Sequence, residues 1–172
     1  QSIVSETIEK PEVNYNSDKL TFKYNGKAHK PSFSIPGLTK NVNYTVSYTN
    51  TKIGKGTVVI KLIGPKYSGT YRINFKTNLS PVTDISIKSK KAKQMSISYD
   101  KYPKATCEIQ YSTNKKFRIN VKKIKTNAKT YSKTVTKLKS KTTYYVRIRS
   151  CIKVNKKTYY SSWSKTKAIK IK

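Results

Sequence analysis

Asn43-Tyr44-Thr45-Val46-Ser47-Tyr48-Thr49 alternates without a break: Tyr44, Val46 and Tyr48 fall on one face, and Thr45, Ser47 and Thr49 on the other. Successive side chains of an extended chain point to opposite sides, so a period of two marks a half-buried β-strand. Residues 70–76 repeat the arrangement, with Tyr71, Ile73 and Phe75 inward and Arg72, Asn74 and Lys76 outward. Between them, residues 57–63 form a nearly continuous β-branched and apolar run, which reads as a strand covered on both sides. No stretch of useful length places apolar residues at i, i+3, i+4 and i+7, so helices are expected to be nearly absent. In the second half the same reading gives strands at about 85–88, 94–99, 107–112, 121–125, 130–135, 142–152 and 164–171, a spacing that implies a β-sandwich.

All six glycines lie before residue 70, each between candidate strands where a turn calls for positive φ. The second half has none, so its turns must rely on Asn114, Asn120, Asn127 and Asn155, with Pro81 and Pro103. This break and the short Asn78-Leu79-Ser80-Pro81 junction set a domain boundary near residue 79: residues 1–18 are a linker or first strand, 19–78 a first domain and 79–172 a second. Domains of this size sit near the lower limit for a self-sufficient core, so any binding role must reside on surfaces.

Charge changes at the same boundary. The chain carries 38 Lys plus Arg against 7 Asp plus Glu, and 26 of the basic but only 3 of the acidic residues follow residue 78. The net charge is therefore +8 before the boundary and +23 after it. Such a field attracts polyanions over a Debye length of about 8 Å at physiological salt. Of the basic residues 34 are Lys, spread through nearly every segment. Lysine is a hydrated point charge without the planar fork that reads guanine edges, which disfavours specific nucleic-acid recognition. Many of these lysines need do no more than populate solvated strand faces. The 14 tyrosines mostly keep step with Val and Ile and read as core, not as base-stacking platforms.

From Thr83 onward the chain resembles a fibronectin type III domain, of the variety common in surface proteins of clostridia-like Firmicutes. The resemblance rests on Met95-Ser96-Ile97-Ser98-Tyr99, on Ala105 to Ser112, on Leu138 with Tyr144-Tyr145-Val146-Arg147-Ile148-Arg149-Ser150, and on Tyr159-Tyr160-Ser161-Ser162-Trp163-Ser164. It implies that Leu138 and Tyr144 form a tyrosine corner, the phenol tying a crossover loop to the backbone. Departures are Tyr99 in place of a strand-B tryptophan, a missing glycine near Thr106, and Lys156 at a glycine position. Residues 20–77 resemble a bacterial immunoglobulin-like repeat through Tyr24-Asn25-Gly26-Lys27-Ala28, Gly54-Lys55-Gly56-Thr57 and Tyr67-Ser68-Gly69-Thr70. The implied fold class is all-β, with two tandem immunoglobulin-like β-sandwiches, the second of fibronectin type III kind.

Two further expectations follow from this resemblance. Tyr160 to Ser164 is similar to the tryptophan-serine motif of cytokine-receptor modules, which implies a cation–π ladder of Arg147, Arg149, Tyr160 and Trp163, architectural in role. Cys107 and Cys151 would lie on neighbouring antiparallel strands, so a disulfide between them is expected in a secreted chain. Their phase opposes it: Cys107 keeps step with inward Ile109, Cys151 with outward Arg149. A strand-end twist would reconcile them, and two free thiols are the alternative.

Catalytic chemistry finds little to work with. The acids are Glu6, Glu9, Glu12, Asp18, Asp84, Asp100 and Glu108, and the single histidine, His29, follows a turn and reads as a solvated loop residue. No triad, paired carboxylates, phosphate-binding glycine loop or metal-ligand set is evident, so neither enzymatic activity nor a cofactor is expected. No apolar run approaches the roughly 20 residues that span a bilayer. The start at Gln1 reads as a trimmed or processed end, and a last strand running into Lys172 without a sorting motif reads as a C-terminal region. The sequence thus points to a monomeric extracellular spacer and binding unit, attached to anionic cell-wall polymers or glycans. The alternatives are an adhesin for a host protein such as an immunoglobulin or matrix glycoprotein, and an accessory module of a larger extracellular enzyme.

Overall fold

The computed structural model describes residues 8–172, which form two compact units, one ending at Asn78 and the other beginning at Leu79. In the N-terminal unit six strands follow one another: β1 (Asn14–Tyr15), β2 (Thr21–Lys23), β3 (Phe33–Ser34), β4 (Tyr44–Thr49), β5 (Gly54–Leu62) and β6 (Thr70–Asn78). The larger sheet has the order β2-β6-β5-β4, with β2 parallel to β6 and the other pairs antiparallel, while β1 and β3 make a small second sheet. Ile35, Val58, Ile60, Ile73 and Phe75 fill the space between, with Tyr44, Val46, Tyr48 and Tyr71 packed against them. The phase read from residues 43–49 and 70–76 is the observed one. Residues 57–63 differ from expectation: Val58, Ile60 and Leu62 are buried while Thr57 and Val59 are half-exposed, because no layer covers the far side of β5.

The segment read as a linker or first strand belongs to this unit as far as it is described. Asn14–Tyr15 pairs with Phe33–Ser34, Glu9 bridges to Tyr67, and the Tyr71 hydroxyl donates to the Pro11 carbonyl. Residues 1–7, including Glu6, lie outside the described residues.

Gly56 is not a turn glycine. It sits inside β5, and a Cβ there would lie 2.6 Å from the Thr49 carbonyl oxygen and run into the Phe75 ring. Gly56→Ala should therefore destabilise the N-terminal unit by about 2 kcal/mol through overpacking. A scanning calorimetry trace in which no transition moves would contradict that expectation.

The C-terminal unit has eight strands: β7 (Thr83–Lys88), β8 (Met95–Asp100), β9 (Thr106–Ser112), β10 (Lys122–Lys125), β11 (Ser132–Val135), β12 (Thr143–Val154), β13 (Lys157–Tyr160) and β14 (Lys167–Lys170). One sheet runs β11-β8-β7; the other runs β10-β9-β12-β13, with β14 also on β12. Met95, Ile97, Ile109, Val146, Ile148 and Ile171 are fully or almost fully buried between the sheets. Burying a side chain of this size contributes roughly 1.5–3 kcal/mol, and together such contacts outweigh the chain entropy of a small domain.

Tyr99 is buried, and its hydroxyl lies 3.3 Å from Thr126 Oγ1 and 3.2 Å from the Thr130 carbonyl. Burial raises its phenol pKa above the usual tyrosine value.

The last strand departs from the single stretch expected at 164–171. Asn155 and Lys156, both at positive φ (49° and 66°), turn β12 back onto β13 as a two-residue hairpin. The chain then leaves the ladder over residues 161–166 before rejoining it as β14. Without glycines, lysines occupy the left-handed positions alongside asparagine: Lys93, Lys137, Lys141 and Lys156 all have positive φ. Asn114 and Asn127 act differently, their side-chain oxygens accepting the amides of Lys116 (3.0 Å) and Lys129 (2.9 Å).

Candidate functional site

The break in the last strand shapes the outer face of the larger C-terminal sheet. Where residues 161–166 cannot pair as a regular strand, serine hydroxyls take over the work of the ladder. Ser150 N–H donates to Ser161 Oγ at 2.9 Å, and Ile148 N–H to Ser164 Oγ at 2.9 Å. In return the Ser161 and Ser164 amides donate to the Ser150 and Ile148 carbonyls at 3.0 and 2.8 Å. Every amide that the missing strand would have left unpaired on this stretch of β12 therefore has a partner. Freed from strand alternation, Trp163 folds over the sheet.

There it meets the outward arginines of β12. The Arg147 guanidinium carbon lies 4.3 Å from the Trp163 ring centre, and that of Arg149 lies 4.5 Å from Trp163 and 3.9 Å from Tyr160. Phe117 closes the other end, 4.3 Å from Arg147. The stack thus runs Phe117, Arg147, Trp163, Arg149, Tyr160. Phe117 was not among the residues read from the sequence, because it sits at φ 51° in the loop between β9 and β10, where no strand periodicity applies. Burial, and the Arg149 charge beside it, lower the Arg147 pKa, yet a guanidinium stays protonated at neutral pH.

A polar layer lies beneath the rings. Gln110 Oε1 accepts from Arg147 Nε and Nη2 at 2.9 and 2.7 Å, Gln110 Nε2 donates to Glu108 Oε1 at 2.9 Å, and Arg149 Nη2 meets Glu108 Oε2 at 3.1 Å. Glu108 and Gln110 are both buried by this covering, which is why β9 is buried on two faces. The acid of β9 is thus consumed in holding the ladder, and its charge is offset locally by Arg149.

Leu138 is buried and Tyr144 Oη accepts the Lys139 amide at 3.2 Å, a bond from strand β12 to the crossover loop before it.

The cysteines require a correction. Both are free and buried, and no disulfide joins them. Ser150 stands opposite Cys107 and Thr106 opposite Cys151, so the sulfurs project from opposite faces of the sheet, and no twist at this position overrides the alternation. Burial pushes the Cys107 thiol up to about 11. Thiol titration should give two reactive groups per chain in denaturant without reductant, and little reaction at Cys107 in the native state at neutral pH. A chain with no titratable thiol in denaturant would overturn this assignment.

His29 also differs from the solvated residue expected. It is half-buried and stacked on Phe22, with ring centres 4.9 Å apart and planes at 19°. Among the described residues no three of His, Cys, Asp and Glu group as metal ligands, and no helix is long and apolar enough to cross a membrane.

No protein-family model matches the sequence, and no curated protein does. Several solved structures are similar in fold. A β-sandwich protein from a computer-based redesign shares 17% identity over 54% of this chain and 90% of its own, with a TM-score of 0.45. A myokine structure shares 20% identity over 55% of this chain and 97% of its own, with a TM-score of 0.44. The fn3 domain of human contactin 1 shares 14% identity over 54% of this chain and 77% of its own, with a TM-score of 0.46. The fold class rests on the strand order of this chain: an all-β protein of two tandem immunoglobulin-like sandwiches, the second fibronectin type III-like.

Proposed function

We propose that the chain is an extracellular spacer and binding module whose C-terminal unit holds a larger protein to an anionic polymer, such as a cell-wall polymer or acidic glycan, chiefly by charge. The observation that carries this reading is the imbalance after residue 78: 26 basic residues against 3 acidic ones, with Glu108 already engaged by Arg149. Among the described residues of this unit, that is the sole ion pair. Lys101 is buried with its ammonium on the Pro103 and Ala128 carbonyls, but most of the other lysines are free for an outside partner, and Lys104, Lys125, Lys133 and Lys153 are among those exposed on its strands and loops. Dispersed point charges on rigid strands favour multivalent, weakly selective, salt-sensitive binding.

Co-sedimentation with purified wall polymer or an immobilised sulfated glycan tests the reading. Retention at about 50 mM salt and release by about 500 mM is the expected result. Retention unchanged in molar salt would contradict it, as would saturable one-to-one binding to a host protein with indifference to polyanions. That last outcome is the signature of the adhesin alternative.

A further inference from the structure

The outer face of the larger C-terminal sheet is not uniformly covered. The strand registers set its residues in rows: Lys125, Glu108 and Arg149 form one, and Thr106, Cys151 and Tyr160 the next, followed by Lys153 beside Thr158. The aromatic ladder roofs the first of these rows and ends at Tyr160. Beyond it the floor is made by Thr106 and Cys151, short side chains between long ones. The result is a groove of about 530 Å³, rimmed by Lys104, Lys125 and Lys153 and walled by Tyr160.

Three features separate this groove from the general lysine surface. The groove is built largely on four hydrogen-bonded strands, so its geometry is fixed before a ligand arrives. Lys104, Lys125 and Lys153 are exposed and, among the described residues, have no carboxylate partner, while the one acid in the lining is held by Arg149 and Gln110. The volume suits one sugar or polyol unit with its charged group and exceeds that of the groove by Lys122, Lys137 and Lys139, about 440 Å³, and of the depression near Lys88, Lys90 and Lys133, about 320 Å³.

We infer that this groove is a binding site for a tetrahedral oxyanion carried on a hydroxylated carbon unit, a phosphate-bearing polyol or a sulfate-bearing sugar. The amines of Lys104, Lys125 and Lys153 surround the anion, and the hydroxyls of Thr106 and Tyr160 meet those of the ligand. The inference rests on the polyanion reading above and makes it local: one register on the chain contributes more than its share of the attachment.

Two triple variants of the full chain, equal in charge lost, test it. Lys104→Ala/Lys125→Ala/Lys153→Ala removes the rim, and Lys88→Ala/Lys90→Ala/Lys133→Ala removes the three lysines around the depression on the smaller sheet. Affinity is measured for a glycerol-phosphate oligomer and for a sulfated oligosaccharide, with calorimetry confirming that both variants fold. The rim variant should lose about tenfold or more and its salt slope should fall by about 2, while the other loses about twofold. The probe whose affinity shows this asymmetry identifies the source of the oxyanion. Equal losses from both variants would overturn the groove while leaving charge-driven attachment intact. Failure of the unaltered protein to bind either probe at low salt would overturn both. In a parallel NMR titration, shifts concentrated at Thr106, Cys151 and Lys153 are expected, and shifts spread evenly over the lysines would contradict the site.

Discussion

Trp163→Ala should lower the stability of the C-terminal unit by about 3 kcal/mol, the largest loss expected from any single residue on its surface. The indole lies between two guanidinium groups, at 4.3 and 4.5 Å, and each contact in a partly dry setting contributes about 1 kcal/mol. Removing the ring also uncovers Glu108 and Gln110, which the ladder keeps buried, and gives water access to their hydrogen bonds with the arginines. For a unit of this size the expected fall in Tm is about 10–20 °C. Gly56→Ala moves the transition of the other unit, so the pair of variants assigns the two calorimetric transitions. Trp163→Phe should recover part of the loss, since an aromatic face remains. An unchanged Tm in Trp163→Ala would mean that the stacking is decorative and that the serine bonds alone hold residues 161–166.

Much of this architecture was legible in the sequence because the two-residue period is a local property. Tyr44, Val46 and Tyr48, or Ile73 and Phe75, declare their faces without knowledge of any partner strand. The same rule located Arg147 and Arg149 on the outside of β12 and set Cys107 and Cys151 out of phase. The expected disulfide does not form because phase, not strand adjacency, decides which side chains meet: a shift of one residue reverses the face of every side chain, and Cys107 and Cys151 fall on opposite faces. Phe117 was invisible for the complementary reason. It reaches Arg147 from a loop at positive φ, a conformation that bulky residues rarely adopt and that no pattern announces. Gly56 shows a third limit. Glycine signals a turn or a close approach with the same letter, and only the position of Phe75 across the pair tells them apart. The groove beside Tyr160 lay beyond reach for a similar reason, since its depth arises from which short side chains the register places side by side.

The second large effect concerns ionic strength. If four or so lysines of the C-terminal unit each neutralise one charge on a flexible polyanion, the logarithm of the affinity should fall with the logarithm of salt at a slope of about −3. Between 50 and 500 mM that is a loss of about 10²–10³-fold. Grooves of the C-terminal unit are lined mainly by lysine and hydroxyl side chains, which suits a salt-sensitive mode of attachment.

That slope is the most direct test of charge as the means of attachment. The dissociation constant for a glycerol-phosphate polymer, followed over a tenfold range of sodium chloride by a signal that does not depend on Trp163, should rise with a log–log slope near 3. A slope indistinguishable from zero, with affinity retained, would show that attachment does not run through the lysine field at all.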